Sequence, residues 1–195
     1  MAKCFDVVGY IEPCNVVRKK YTGRALLING GTEDDKPVLS ENGLKVTQIG
    51  TYTSFDQLRS ESATGKLKAL PIIIDAQNPF GVTIQGNTDS GRVSYTKTIP
   101  LSIPATRDGK AEEFVMGLQK GLYSNSLIVL ETEGNIDQND IFGAHSPLRL
   151  DPTSVTRNEY ENGGAWSFNL VCEEPVSNVI CTMTELGVAI DTLNA

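Results

Sequence analysis

Histidine is almost missing from this chain: 195 residues hold one, His145, beside four cysteines, three methionines and one tryptophan. A Ser-His-Asp, Cys-His or multi-histidine metal site would have to run entirely through it. It sits in Gly143-Ala144-His145-Ser146-Pro147, a turn-like stretch with no nucleophile motif around it, and is expected to be an exposed loop residue. Basic residues are too few for a nucleic-acid grip. Lys and Arg number 17 against 24 Asp and Glu, a net charge of −7, whereas phosphate binding rests on clustered cations. No run approaches the ~18 apolar residues of a membrane span. The opening residues, Met-Ala-Lys-Cys-Phe-Asp, lack the apolar stretch of a secretory signal, so synthesis and retention in a cytoplasm are expected. Neither Gly-x-x-x-x-Gly-Lys-Ser/Thr nor a strand-to-helix Gly-x-Gly-x-x-Gly occurs, which leaves phosphate cradling unsupported. No catalytic, cofactor-binding or metal-ligating residue is assigned, and no cofactor is expected.

The cysteines fall into two local pairs, Cys4 with Cys14 and Cys172 with Cys181. Metal motifs use tighter spacings, and disulfides are rare in a cytoplasm, so reduced, partly buried thiols are expected, with a disulfide within either pair as the alternative. The acidic doublets Asp34/Asp35, Glu112/Glu113 and Glu173/Glu174 could in principle supply an acid and a base or bind Ca²⁺. Neighbours in sequence point in different directions on a strand or helix, so all three are expected to be solvated surface. The basic triplet Arg18-Lys19-Lys20 reads as an exposed strand end or intersubunit contact, and Trp166 as a core residue.

What the chain does have is glycine, 18 residues of it, enough apolar residues for a core, and period-two patterning. Residues 92–104 place Val93, Tyr95, Ile99, Leu101 and Ile103 at every second position, interrupted only by Lys97, which predicts one wall of a sheet. The preceding segment 81–86 and the turn residues 87–91 predict an antiparallel hairpin with it. Residues 109–123 are the only convincing helix. Asp108 is placed to cap it, Glu112 and Glu113 lie in its first turn, and Phe114, Val115, Leu118 and Leu122 share a face. Residues 126–131 read as a central strand, and 141–143 and 148–150 as short strands paired around Ser146-Pro147. Asn162-Gly163-Gly164 predicts a turn into a strand with Trp166, Phe168, Leu170 and Cys172 on one face, ending at Glu173-Glu174-Pro175. Further apolar runs lie at 24–29, 44–52 and 70–74. These patterns predict one domain over residues 1–195. It is mainly β, an antiparallel sandwich or barrel with one amphipathic helix on its flank. Extended polar loops are expected at about 30–42 and 54–68, and a C-terminal extension at about 176–195.

The order of an alternating strand (93–103), one helix (109–123), a strand (127–131), a loop at Phe142-Gly143-Ala144 and the closing phrase from Asn162-Gly163-Gly164 to Glu173-Glu174-Pro175 resembles tail-tube-type structural proteins of tailed bacteriophages. The opening, with Gly9-Tyr10, Cys14 and Arg24-Ala25-Leu26-Leu27-Ile28-Asn29, is similar to the same group. The resemblance implies a non-enzymatic virion protein that assembles into a homo-oligomeric ring beside other neck, portal or tail rings. DNA would be a passing cargo rather than a bound ligand, and no membrane would be involved. The negative charge suits that passage. Two other classes compete: a monomeric or low-order β-sandwich binding module for capsid decoration or surface ligands, and a carboxylate-based hydrolase, which would need two acids converging in a deep pocket.

Overall fold

The computed structural model describes residues 6–7, 10–11, 21–29, 36–54, 57, 67–71, 82–89, 91–121, 126–132, 139–160 and 163–183. Its organisation follows from two runs that have no polar phase. Ala25-Leu26-Leu27-Ile28 and Leu127-Ile128-Val129-Leu130 are apolar at every position, and a strand of that kind is stable only where both faces are covered. They lie on β3 (Tyr21–Asn29) and β9 (Ser126–Thr132), which pair antiparallel at the interior of a seven-stranded sheet. Across that sheet the order is β4 (Pro37–Leu39), β5 (Lys45–Ile49), β13 (Ile180–Cys181), β10 (Asn139–Phe142), β9, β3 and β6 (Leu67–Pro71). A four-stranded antiparallel sheet holds β11 (Arg149–Tyr160), β12 (Gly163–Glu174), β8 (Arg92–Pro104) and β7 (Thr83–Asp89) in that order. A separate two-stranded ladder joins β1 (Asp6–Val7) to β2 (Tyr10–Ile11).

Strand alternation divides the apolar residues between two cores. Ala25, Leu27, Ile128, Leu130 and Phe142 point from the large sheet toward Ile99, Leu101, Phe168 and Leu170 of the small one. Leu26, Ile28, Leu127, Val129 and Ile141 point the other way, into a second cluster with Val46, Val179 and Met183. The fold is therefore mainly β, two antiparallel-rich sheets with one described helix, as the patterning predicts.

The helix α1 (Lys110–Gln119) buries Ala111, Val115 and Leu118 in the intersheet core, and Phe114 meets Phe168 with ring centroids 6.4 Å apart. It is shorter than predicted. Its N-cap is Gly109, in the left-handed region at φ 76, and not Asp108. Asp108 still accepts the Lys110 amide at 3.2 Å, and Thr106 Oγ1 accepts that of Ala111 at 3.2 Å. A hydrogen bond from the Thr106 side chain to the Asp108 carboxylate, and then the Lys110 amide, hold that carboxyl below the usual carboxylate range.

Several expectations are corrected. The hairpin turn is tighter than residues 87–91: Asp89 pairs with Arg92, leaving two residues between them, because Gly91 at φ 79 permits the reversal. Segments 141–143 and 148–150 do not pair with each other. β10 joins β9 and β13, while β11 joins β12 in the other sheet. Gly163 and Gly164 lie within β12, not in a turn. The stretch 30–42, expected as a loop, contains β4, and the extension at 176–195 contributes β13, inserted between β5 (parallel) and β10 (antiparallel). In the polar segment from residue 54, Thr53 N–H donates to Gln57 Oε1 at 2.7 Å and Gln57 N–H to Ser54 Oγ at 3.3 Å. Residues 58–66, the basic triplet at 18–20, Asp34/Asp35, Cys4/Cys14 and residues 184–195 lie outside the described residues.

Candidate functional site

The polar centre of the intersheet core is a buried ion pair between strands β8 and β12. Lys97, which interrupts the apolar phase of β8 in the sequence, stays in phase and turns inward. Glu174 continues the inward series Trp166, Phe168, Leu170, Cys172 two residues further. In the register Lys97 lies opposite Cys172 and Glu174 opposite Tyr95, so lysine and glutamate are diagonal neighbours, within reach of long side chains. Lys97 Nζ donates to Glu174 Oε2, and both side chains have zero exposure. Nζ also lies 5.4 Å from the centroid of the Phe142 ring, near enough for a cation–π contribution.

The other carboxylate oxygen is held by backbone. Glu174 Oε1 accepts the amides of Gly143 at 3.1 Å, Ala144 at 3.0 Å and His145 at 3.5 Å. Successive amides converge on one atom because Gly143, at φ 91, turns the chain sharply as it leaves β10, forming an anion-binding nest. Such an arrangement is the condition under which a buried charge is tolerated, since desolvation must be offset by both a partner and hydrogen bonds.

The loop that supplies the nest is tied down on both sides. His145 Nε2 is 2.9 Å from the Gly43 carbonyl oxygen, linking residues 143–146 to the β4–β5 turn. Ser146 Oγ donates to the Glu173 carbonyl and accepts the Glu173 amide at 3.1 Å, and Ser94 Oγ donates to Glu173 Oε1 at 2.7 Å. Two sequence expectations are thereby corrected. Glu174 is buried while Glu173 stays exposed, so the doublet is not uniformly solvated. His145 is half-buried and engaged, not a free loop residue. The first correction was readable in principle: Lys97 and Glu174 are opposite charges on the inward phase of two strands that flank one core.

Cys172 sits beside the pair. Burial, and then the Glu174 carboxylate, push its thiol up to about 12 from an ordinary 9.0, against smaller opposing effects of the Gly143 amide and Lys97. The folded pKa exceeds the unfolded one, so the associated stabilisation is fully present below about pH 9 and is lost as the pH rises through about 12. Cys172 is expected to resist alkylation in the native protein at pH 8 and to react only on unfolding; native-rate labelling would contradict this placement. Cys172 and Cys181 are reduced and occupy the two different cores. Trp166 packs against the intersheet core, with the Arg157 guanidinium 5.8 Å from its ring centroid.

A cavity of about 310 Å³ opens between α1 and the sheets, lined by Leu27, Leu118, Leu148, Leu150 and Leu170, with Ser126 at its wall. Ser126 Oγ is buried there with no hydrogen-bond partner among the described residues. A buried unsatisfied hydroxyl costs about 1–3 kcal/mol, so Ser126→Ala is expected to raise stability by up to about 1 kcal/mol in urea unfolding, the new void offsetting the rest. A loss of stability would contradict that reading. Among the described residues no group of three His, Cys, Asp or Glu is arranged to hold a metal ion, and no helix is long and apolar enough to cross a membrane. Comparison with protein families, curated proteins and solved structures finds no match for the chain.

Proposed function

We propose that the chain is a non-enzymatic virion structural protein of the tail-tube type, whose copies join into rings that form part of a tail or neck conduit for DNA. The observation that carries this reading is the β7–β8 ribbon. β7 forms one edge of the four-stranded sheet, and it is exposed along most of its length. It has no proline and no lysine in Thr83–Asp89, two of the residues that monomers place on such edges. Residues 92–94 of β8 run past the end of its pairing with β12, so the ribbon tip overhangs the sheet. Ile84 and Val93 on this ribbon are 45% and 52% exposed. A ring closes through heterologous contacts, and an overhanging ribbon supplies one of the two surfaces. The order of elements that resembles the tail-tube group, β8 then α1 then β9, supports the same reading, and the net charge of −7 disfavours retention of DNA in a lumen.

The polar centre also fits a structural role, because Lys97, Glu174 and His145 are all engaged in holding strands and loops together. Native mass spectrometry over a concentration series tests the proposal, with the double variant Ile84→Lys/Val93→Lys as comparison. Wild type is expected to form closed oligomers and the variant to remain monomeric with an unchanged melting temperature. Equal assembly by the two would remove the ribbon from the interface, and a wild type that stays monomeric even with partner virion ring proteins would overturn the proposal.

A further inference from the structure

We propose that Lys97 and Glu174 are joined by an isopeptide bond that forms within the folded protein. The inference stands on the buried pair and not on the ring assembly. The two oxygens of Glu174 are held differently. Oε2 meets Lys97 Nζ, while Oε1 faces the amides of Gly143, Ala144 and His145. An acyl-transfer centre needs that division: a nucleophile at the carboxyl group, one oxygen free to leave, and fixed donors around the oxygen that gathers negative charge. Both side chains have zero exposure, and Phe142 supplies an apolar wall beside the nitrogen. Water is excluded from competing with the amine or reversing the product, and fixed proximity replaces a bimolecular encounter.

The step balances without a co-reactant. Nζ passes a proton to Oε2, and its freed lone pair adds to Cδ. The carbonyl electron pair moves onto Oε1, where the three amides stabilise it. A second proton moves from nitrogen to Oε2, the carbonyl re-forms, and Oε2 leaves as water with two of the three protons that Nζ first held. The third remains as the amide N–H. An ammonium and a carboxylate become an amide and one water, and nothing is oxidised or reduced. The product removes two charges from the core while its carbonyl oxygen keeps the amide nest, which resolves the desolvation cost of a buried ion pair. It also fastens β8 to β12 covalently, across 77 residues of chain.

Intact-mass measurement of the denatured, reduced wild-type protein tests this directly. The expected mass is lower by one water than the sequence requires, while the Glu174→Ala variant shows the full mass of its own sequence. Tryptic digestion of wild type is expected to leave Lys97 uncleaved, in a branched peptide joining residues 93–107 to residues 158–195. A wild type at full sequence mass, or a water loss that maps to other residues, overturns the proposal. The wild-type mass decides the matter even where the variant does not fold.

Discussion

Replacing Lys97 by methionine is expected to destabilise the protein by about 3–5 kcal/mol, because the Glu174 carboxylate is then left buried without its cation. Glu174→Gln is expected to cost a similar amount for the converse reason, since the Lys97 ammonium loses its anion in a site with no exposure. For a chain of this size roughly 2–4 °C accompanies each kcal/mol, so either change lowers the melting temperature by roughly 6–20 °C. The double variant Lys97→Met/Glu174→Gln carries no unpaired charge, and the glutamine carbonyl oxygen can still accept the amides of Gly143 and Ala144. It is expected to be more stable than either single variant by about 2 kcal/mol, within the range of coupling between residues in contact. That recovery holds whether the wild-type pair is ionic or covalent, since it reports the unpaired charge alone. Additive losses in urea unfolding would mean that the two residues do not act as a pair.

Gly143→Ala is the second large effect. At φ 91 an L side chain is strained, and a Cβ there would lie 3.0 Å from both Leu148 Cγ and the Ser126 carbonyl oxygen. The leucine has some freedom to rotate, but the carbonyl belongs to the paired backbone of β9 and does not. Strain and overpacking together give an expected loss of roughly 2–6 kcal/mol. Gly91→Ala is the control, because its φ of 79 is also positive but its Cβ would meet nothing within 4 Å. Its expected cost is about 1–2 kcal/mol, that of the left-handed backbone alone. The difference between the two should appear in denaturant midpoints, with slower amide exchange at residues 143–145 in wild type than in the Gly143 variant. Equal costs would show that the turn relaxes and that the nest is not held in place by this glycine.

The sequence was most legible where structure is local. β8 begins and ends at the predicted residues 92 and 104, and β12 ends at Glu174 as predicted, because period-two alternation and turn chemistry are written into consecutive residues. The face of α1 was legible for the same reason, although a left-handed Gly109 set its first residue one position inside the predicted start. Partnership between strands was not legible. Segments 141–143 and 148–150 look like a hairpin because a proline-containing turn separates them, yet burial of Ile141 and Phe142 on opposite faces draws β10 into the large sheet. β13 is two residues long and takes its place through pairing with β5 and β10, which no local pattern records.

The polar centre shows the same division. Lys97 reads as an interruption when β8 is considered alone, and Glu174 reads as half of a solvated doublet when β12 is judged by composition. Only the antiparallel register, which sets Lys97 diagonal to Glu174, joins them. The nest depends on a third, distant segment, residues 143–145, and neither strand carries a sign of it. His145 likewise reads as a loose loop residue until the Gly43 carbonyl is brought within 2.9 Å of its ring.

The β7–β8 ribbon is the observation behind the proposal that copies of this chain join into rings. Among the described residues β7 pairs on one side only, and half-exposed Ile84 and Val93 lie on the same ribbon, an arrangement that the proposed ring contact would cover. Electron microscopy of the concentrated, purified wild-type protein is the most direct test. Closed rings with an open centre, alone or stacked into short tubes, are expected. A field of uniform monomers, unchanged when neck and tail ring proteins are added, would contradict the proposal.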